Sequence, residues 1–220
     1  MRNRNLLLVV TALASVLLQG CEQPALTTIP QDSSILAYGD SLTLGVGAGE
    51  ANSYPTVLAE LSGRRVINAG VSGETTAGGM ARLPETLADT NPALLILLEG
   101  GNDILRNENP ATTKRNLAAM IEMAKSRGVQ IVLIGVPERS LFSDVAPFYR
   151  DLAQEYELVL EDELIGDLLR TPRYKSDAIH FNQHGYRVMA EAIFELLAEM
   201  ARCELSGARR ARALGTALEA

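Results

Sequence analysis

The sequence predicts a three-layer α/β/α domain built on a parallel sheet of about five strands. Three observations carry this expectation. Short apolar runs alternate with longer amphipathic segments along most of the 220 residues. Two of the runs, 94–98 and 131–134, are apolar throughout rather than at every second position, as strands covered on both faces are. Pro92 and Gly128 punctuate the passage from one kind of segment to the other. Such alternation is satisfied by a parallel sheet with helices on both faces and right-handed crossovers.

The chain opens with Arg2 and Arg4 and then an uncharged, mostly apolar run over residues 6–18. That run is shorter than the ~20 residues a helix needs to span a bilayer. A basic start followed by a short apolar stretch reads as a secretory signal over residues 1–20. It ends in Leu18-Gln19-Gly20-Cys21, which resembles the lipobox of bacterial lipoproteins. The resemblance implies that Cys21 is acylated and becomes the mature N-terminus, facing the periplasm on a bacterial membrane. Glu22, rather than the aspartate that goes with inner-membrane retention in many lipoproteins, favours the outer membrane. Cleavage without acylation would instead leave a soluble periplasmic protein. Cys203 is the only other cysteine, so no disulfide is expected, and its apolar helical setting suits core packing.

Residues 21–33, rich in Gln, Thr, Pro and Ser after the cysteine, read as a tether of ~40 Å at full extension. The domain proper is expected over 34–205, with strands at 35–38, 65–68, 94–98, 131–134 and 158–160. Helices are expected at 54–61, 76–87, 112–127, 145–156 and 185–204. Gly45-Val46-Gly47-Ala48-Gly49 lacks the lysine and register of a phosphate loop and reads as a flexible connection. Residues 206–220, with Arg209, Arg210 and Arg212 among Ala and Gly, read as a frayed, solvated end. No internal repeat or second domain is visible, and a monomer is expected.

Composition narrows the function classes. With 20 basic against 27 acidic residues the net charge is −7, and no basic stripe exists to grip a phosphate backbone, so nucleic acid is excluded as a partner. The absence of Trp and an aromatic content of 5% argue against stacking platforms for bases or sugars. No metal-ligand cluster stands out.

In open α/β sheets the ligand site lies beyond the carboxyl ends of the strands. That rule selects Gly39-Asp40-Ser41-Leu42, residues 69–75 and residues 99–103. A serine nucleophile needs a base, a group that orients the base and donors for the oxyanion. His180 and His184 are the only histidines, and Asp177 precedes His180 by three residues, a spacing at which the two side chains can meet. Taken alone, Asp-x-x-His is a weak signal. His184, just ahead of the last helix, suits a capping or solvent-facing place.

Four loops together are more specific. Gly39-Asp40-Ser41-Leu42, Val71-Ser72-Gly73-Glu74-Thr75, Gly101-Asn102-Asp103 and Asp177-Ala178-Ile179-His180 resemble, in order, the sequence blocks of the SGNH, or GDSL-type, hydrolases. The resemblance covers residues 34–200. Within that family the chain looks most similar to the periplasmic acyl-CoA thioesterase/lysophospholipase and arylesterase group, through residues 68–76, Ala81-Arg82-Leu83-Pro84 and 98–103. Phe181 departs from the proline that relatives commonly carry after the histidine.

The resemblance implies a flavodoxin-like sheet and no cofactor. It implies a catalytic triad of Ser41, His180 and Asp177, with an oxyanion hole of the Ser41 and Gly73 N–H groups and the Asn102 amide. Asp40 would fix the turn and Asp103 would cap the following segment. Ile104 and Leu105, with Leu141 and Phe142 beyond the fourth strand, could form an acyl groove or equally pack against neighbouring helices. The substrate implied is an acyl ester, thioester or lysophospholipid. An acetyl esterase acting on glycans and a lipoprotein that binds without hydrolysing stand as alternatives.

Overall fold

A computed structural model describes residues 26–27, 29–138 and 144–218, the side chains of 203–218 excepted. Residues 1–20, read as a secretory signal, and Cys21, Leu141 and Phe142 lie outside the described residues. Five strands, β1 (Ile35–Gly39), β2 (Val66–Gly70), β3 (Leu94–Leu98), β4 (Gln130–Ile134) and β5 (Val159–Glu161), form one sheet. Its order is β2-β1-β3-β4-β5 and every pairing is parallel. All five residues of β1 and of β3 are buried, which is why these runs are apolar throughout. The edge strand β2 is half-buried and correspondingly carries Asn68.

The helices among the described residues are α1 (Ser41–Leu44), α2 (Tyr54–Ser62), α3 (Thr76–Thr90), α4 (Gly101–Leu105), α5 (Pro110–Ser126), α6 (Pro147–Tyr156), α7 (Leu164–Arg170) and α8 (Gln183–Leu218). Helices α2 and α8 pack together, as do α3 with α5 and α5 with α6, giving a layer on each side of the sheet. Buried Tyr186, Met189, Ala190 and Ile193 put the three- and four-residue spacing of α8 against the core.

Several expected boundaries move for local reasons. The helix expected from 112 starts at Pro110, because the Asn109 side chain accepts from the Ala111 N–H and Pro is accommodated at the first position. Strand β2 extends to Gly70. Val145 bridges to Pro137 instead of opening α6. Helix α7 was not expected at all. The chain of α8 continues to Leu218 through the segment expected to fray, since its Ala, Arg and Leu residues are strong helix formers that outweigh Gly207 and Gly215.

Two connections are held where looseness was expected. Leu26 is buried, the Thr27 N–H donates to Gln130 Oε1 at 2.6 Å, and Gln130 Nε2 donates to the Thr27 carbonyl at 3.0 Å. The Arg64 guanidinium donates to the Ile29 and Pro30 carbonyls at 2.9 and 2.7 Å. So the described residues 26–27 and 29–33 form a strap across the amino ends of the strands, where part of a free tether was expected. Likewise Gly45–Gly49 is a series of tight turns, with φ of 95°, 97° and 82° at its three glycines. Gly47 abuts Ser176 and Phe181 so closely that a Cβ there would lie 2.1 Å from Ser176 Oγ.

Candidate active site

In the order β2-β1-β3-β4-β5 the chain leaves β1 toward β2 on one side and returns to β3 on the other. A crevice opens at that reversal, beyond the carboxyl ends of β1 and β3. Ser41 follows β1 and Asn102 follows β3. Their loops come close because β1 ends in glycine: a Cβ on Gly39 would stand 2.2 Å from the Leu98 carbonyl. Asp40 then caps α1, its Oδ1 accepting the Leu42 N–H at 2.9 Å. The turn presents Ser41 as the first helical residue, where backbone N–H groups have no acceptor inside the helix.

His180 reaches this point from the far end of the chain. Its Nε2 lies 3.0 Å from Ser41 Oγ, and its Nδ1 lies 2.7 Å from Asp177 Oδ2. With the ring proton on Nδ1, donated to Asp177, Nε2 is free to accept from the serine. Asp177 is itself held: its Oδ1 accepts the Ile179 and His180 N–H groups, both at 2.9 Å. Those bonds, the Ile179 N–H first and the contacts to His180 after it, lower its carboxyl to about 2. Phe181, fully buried and edge-to-face with Tyr186, anchors the histidine loop. Tyr186 in turn donates to the Val46 carbonyl at 2.8 Å, so the glycine turns brace the histidine loop. His184 is exposed against Tyr174 and stands outside the cluster.

Hydrogen bonds tie the expected donor Asn102 to Asp40, beside Ser41, and to Glu74, next to the other expected donor, Gly73. Gly73 sits at φ 76°, a conformation costly for any residue with a side chain. The Arg106 guanidinium donates to its carbonyl at 2.8 Å. Asn102 Nδ2 donates to the Glu74 carbonyl at 2.8 Å and lies 3.3 Å from Asp40 Oδ2. The first contact orients the amide, and the second, longer one leaves an N–H that an oxyanion could claim. Glu74 is fixed by Arg82, which forms a forked ion pair with its carboxylate and donates to the Ala69 carbonyl at 2.7 Å. Asp103 caps α3 rather than its own segment, accepting the Thr76 N–H at 2.9 Å and the Thr76 hydroxyl at 2.6 Å. Arg106 and the Glu74 carbonyl were missed in the sequence. A cation four residues after Asn102 was the available signal for the first, and a main-chain acceptor leaves none.

Replacing Asn102 by alanine is expected to lower kcat for ester hydrolysis by ~10²–10³-fold with little change in KM, the usual cost of one oxyanion donor. Steady-state kinetics on a chromogenic ester measure this, and an unchanged kcat would remove Asn102 from the hole.

Two buried acids adjoin the site. Burial pushes Asp40 up to about 6, against the lowering effect of the Leu42 N–H. Glu99 is fully buried, and neither of its oxygens has a hydrogen-bond partner among the described residues. Burial, then the neighbouring Asp40 charge and Glu74, raise it well above the usual carboxylate range, so it is a neutral acid at pH 7. The folded protein therefore keeps a proton that the unfolded chain releases above pH ~4.3, and this contribution to stability is lost as pH rises. Glu99→Gln, uncharged at every pH, is expected to flatten that decline. Urea denaturation at about pH 6 and 9 reads it, and parallel losses in both proteins would show Glu99 ionised in the fold.

Ile104 and Leu105 border an apolar groove that opens beside Ser41 and Asn102. Its other wall comes from Val136, Pro137, Ile165, Leu169 and Ile179, none of which the sequence had indicated. Ile165 and Leu169 belong to α7, whose 164/165/168/169 spacing was a readable helix signal obscured by Gly166 and the surrounding acids. Val71 and Ile179, on loops, and Leu105, the last residue of α4, are exposed large hydrophobic residues.

Residues 37–188 match the GDSL-like lipase/acylhydrolase family. The chain is 38% identical over 130 residues to esterase TesA of Pseudomonas aeruginosa, a match covering 56% of this chain and 64% of that protein. It thus spans just under two thirds of that relative's length. An arylesterase of Vibrio mimicus is 31% identical over 65% of this chain and 76% of its own. Thioesterase 1/protease 1/lysophospholipase L1 of Escherichia coli is 28% identical over 72% and 80%. Among solved structures, that of TesA superposes with a TM-score of 0.66 at 27% identity, covering 76% of this chain and 99% of the other.

Proposed function

The chain belongs to the GDSL-like lipase/acylhydrolase family, and on that premise we propose that it hydrolyses acyl esters and thioesters through an acyl-enzyme on Ser41. The observation that carries this reading is the hydrogen-bonded line from Ser41 Oγ through His180 to Asp177, at 3.0 and 2.7 Å. Ser41 Oγ attacks the acyl carbon while its proton passes to His180 Nε2. The tetrahedral oxyanion is held by the Ser41 and Gly73 N–H groups and the Asn102 amide. On collapse the bond from carbon to the leaving oxygen or sulfur breaks, and that atom takes the proton from Nε2. Water, deprotonated by His180, then attacks the ester carbon, releasing the carboxylic acid and restoring the serine. None of these steps draws on a metal or cofactor.

The relatives' names, esterase, arylesterase and thioesterase/lysophospholipase, support an acyl substrate, and the apolar groove supports a chain longer than acetyl. Export and acylation of Cys21 complete the reading: a periplasm-facing acyl hydrolase held on a bacterial membrane, the outer one favoured. The test is a series of chromogenic esters from acetyl to palmitoyl. Medium or long chains are expected to be preferred. Leu169→Trp, which fills the groove, is expected to shift the preference toward short chains by about tenfold or more, the worth of two methylene contacts. Acetyl-only turnover would favour the deacetylase, and an unchanged preference would remove the groove from substrate binding.

A further inference from the structure

We infer that the anchored domain stands with the amino ends of its strands toward the bilayer and its active-site mouth turned away. On that geometry its acyl substrates come from the aqueous side and not from the leaflet that holds it. The inference rests on the reading of Cys21 as the acylated residue; its geometry rests on the strap.

Were residues 21–33 a free tether of ~40 Å, the domain could turn over and lay any face on the membrane. The strap forbids this. Gln130, which pairs with Thr27, opens β4, and Arg64, which holds the Ile29 and Pro30 carbonyls, stands two residues before β2. All strands being parallel, both contacts lie at the sheet edge opposite Ser41. Leu26, buried there beside Ile35 and Ala201, is the first residue the structure describes.

Only four residues separate Cys21 from Leu26. The five Cα steps from Cys21 to Leu26, at 3.3–3.6 Å each, reach at most ~18 Å. The height to be covered is read from α8, which begins at Gln183 just after the His180 loop and passes Ala201 in the groove that Leu26 borders. Eighteen helical steps at 1.5 Å make ~27 Å. The tether falls short by ~10 Å even before the path around the flank is added. With the mouth facing the membrane, Val71, Leu105 and Ile179 therefore cannot be laid onto the leaflet that holds Cys21.

The experiment uses the full, acylated chain with Cys203→Ser, reconstituted in phosphatidylethanolamine/phosphatidylglycerol vesicles that carry an energy-acceptor lipid. A donor dye is placed either at the mouth (Leu105→Cys) or at the opposite edge (Arg127→Cys). Transfer to the membrane is expected to be strong from Arg127 and much weaker from Leu105. Inserting about 20 Gly/Ser residues after Pro24, with an r.m.s. reach of ~25 Å, is expected to remove most of the difference. Equal or reversed transfer from the two sites without the insertion overturns the orientation. Vesicle flotation separates the two readings: if Cys21→Ser floats as well as the parent chain, acylation at Cys21 is what failed.

Discussion

Ser41→Ala is expected to abolish nearly all ester hydrolysis, lowering kcat by ~10⁵–10⁶-fold, while thermal unfolding stays close to that of the parent protein. The kinetic loss is large because the hydroxyl is the only group at the site that can carry the acyl chain. Without it, His180 and Asp177 orient a base with nothing to deprotonate, so the remaining machinery is idle. The stability change is small because, among the described residues, the Ser41 hydroxyl is tied by its side chain to His180 Nε2, at 3.0 Å, and to no other element. The turn itself is fixed by Asp40, which caps α1 through the Leu42 N–H. Its backbone N–H survives in the variant, so a residual rate over water from the oxyanion donors is expected. Kinetics on a chromogenic ester beside a melting curve measure both effects. Turnover that persists in a well-folded Ser41→Ala protein would end the acyl-enzyme reading.

That the serine could be named from sequence, while the groove beside it could not, follows from how each is specified. Gly73 and His180 lie on loops, and Ser41 and Asn102 in the first turn of short helices, whose geometry depends on residue type at fixed positions, such as glycine at φ 76° or an Asp that caps a four-residue helix. Such requirements leave marks in the sequence. The buried strands are legible for a similar reason, since β1 and β3 must be apolar on both faces. The groove wall is assembled from α4, α7, the loop after β4 and the histidine loop, elements that meet only once the sheet is built. Each contributes one or two aliphatic side chains that, read in sequence, look like ordinary core.

The strap failed to show for a different reason. Leu26 and Ile29 are two apolar residues in a run of Thr, Gln, Pro and Ser, too few to give a period. Their neighbours are held through main-chain carbonyls and a glutamine amide, contacts that any sequence of similar polarity could offer. Glu99 is the opposite case. A carboxyl next to Gly100-Gly101-Asn102 looks suited to chemistry, yet it is buried, raised and without a hydrogen-bond partner among the described residues. Its place in the fold is as a neutral side chain under the loops that hold Asn102.

Asp177→Asn is expected to lower kcat by ~10³–10⁴-fold with KM little changed, through the histidine and not through lost binding. In the parent protein Asp177 Oδ1 accepts two backbone N–H groups, and Oδ2 accepts the His180 Nδ1 proton. Asparagine can keep the first two bonds only with its oxygen in the Oδ1 position. Its NH2 group then faces Nδ1, which must accept. The ring proton moves to Nε2 and points at Ser41 Oγ, so the base becomes a donor where an acceptor is needed. The loss should fall toward the lower end of the range, because the Asp177 side chain is 52% exposed and water screens the charge it offers the imidazolium. At working pH the parent carboxylate is charged, so the variant loses that screened charge together with the tautomer. A carboxyl lowered to about 2 stays ionised in the fold above that value, and its contribution to stability, present above the unfolded value near 3.9, goes only as pH falls through about 2. Kinetics of the variant at neutral pH decide the matter. A loss under tenfold would mean that the histidine finds its tautomer without the carboxylate, leaving a Ser41–His180 dyad as the working unit.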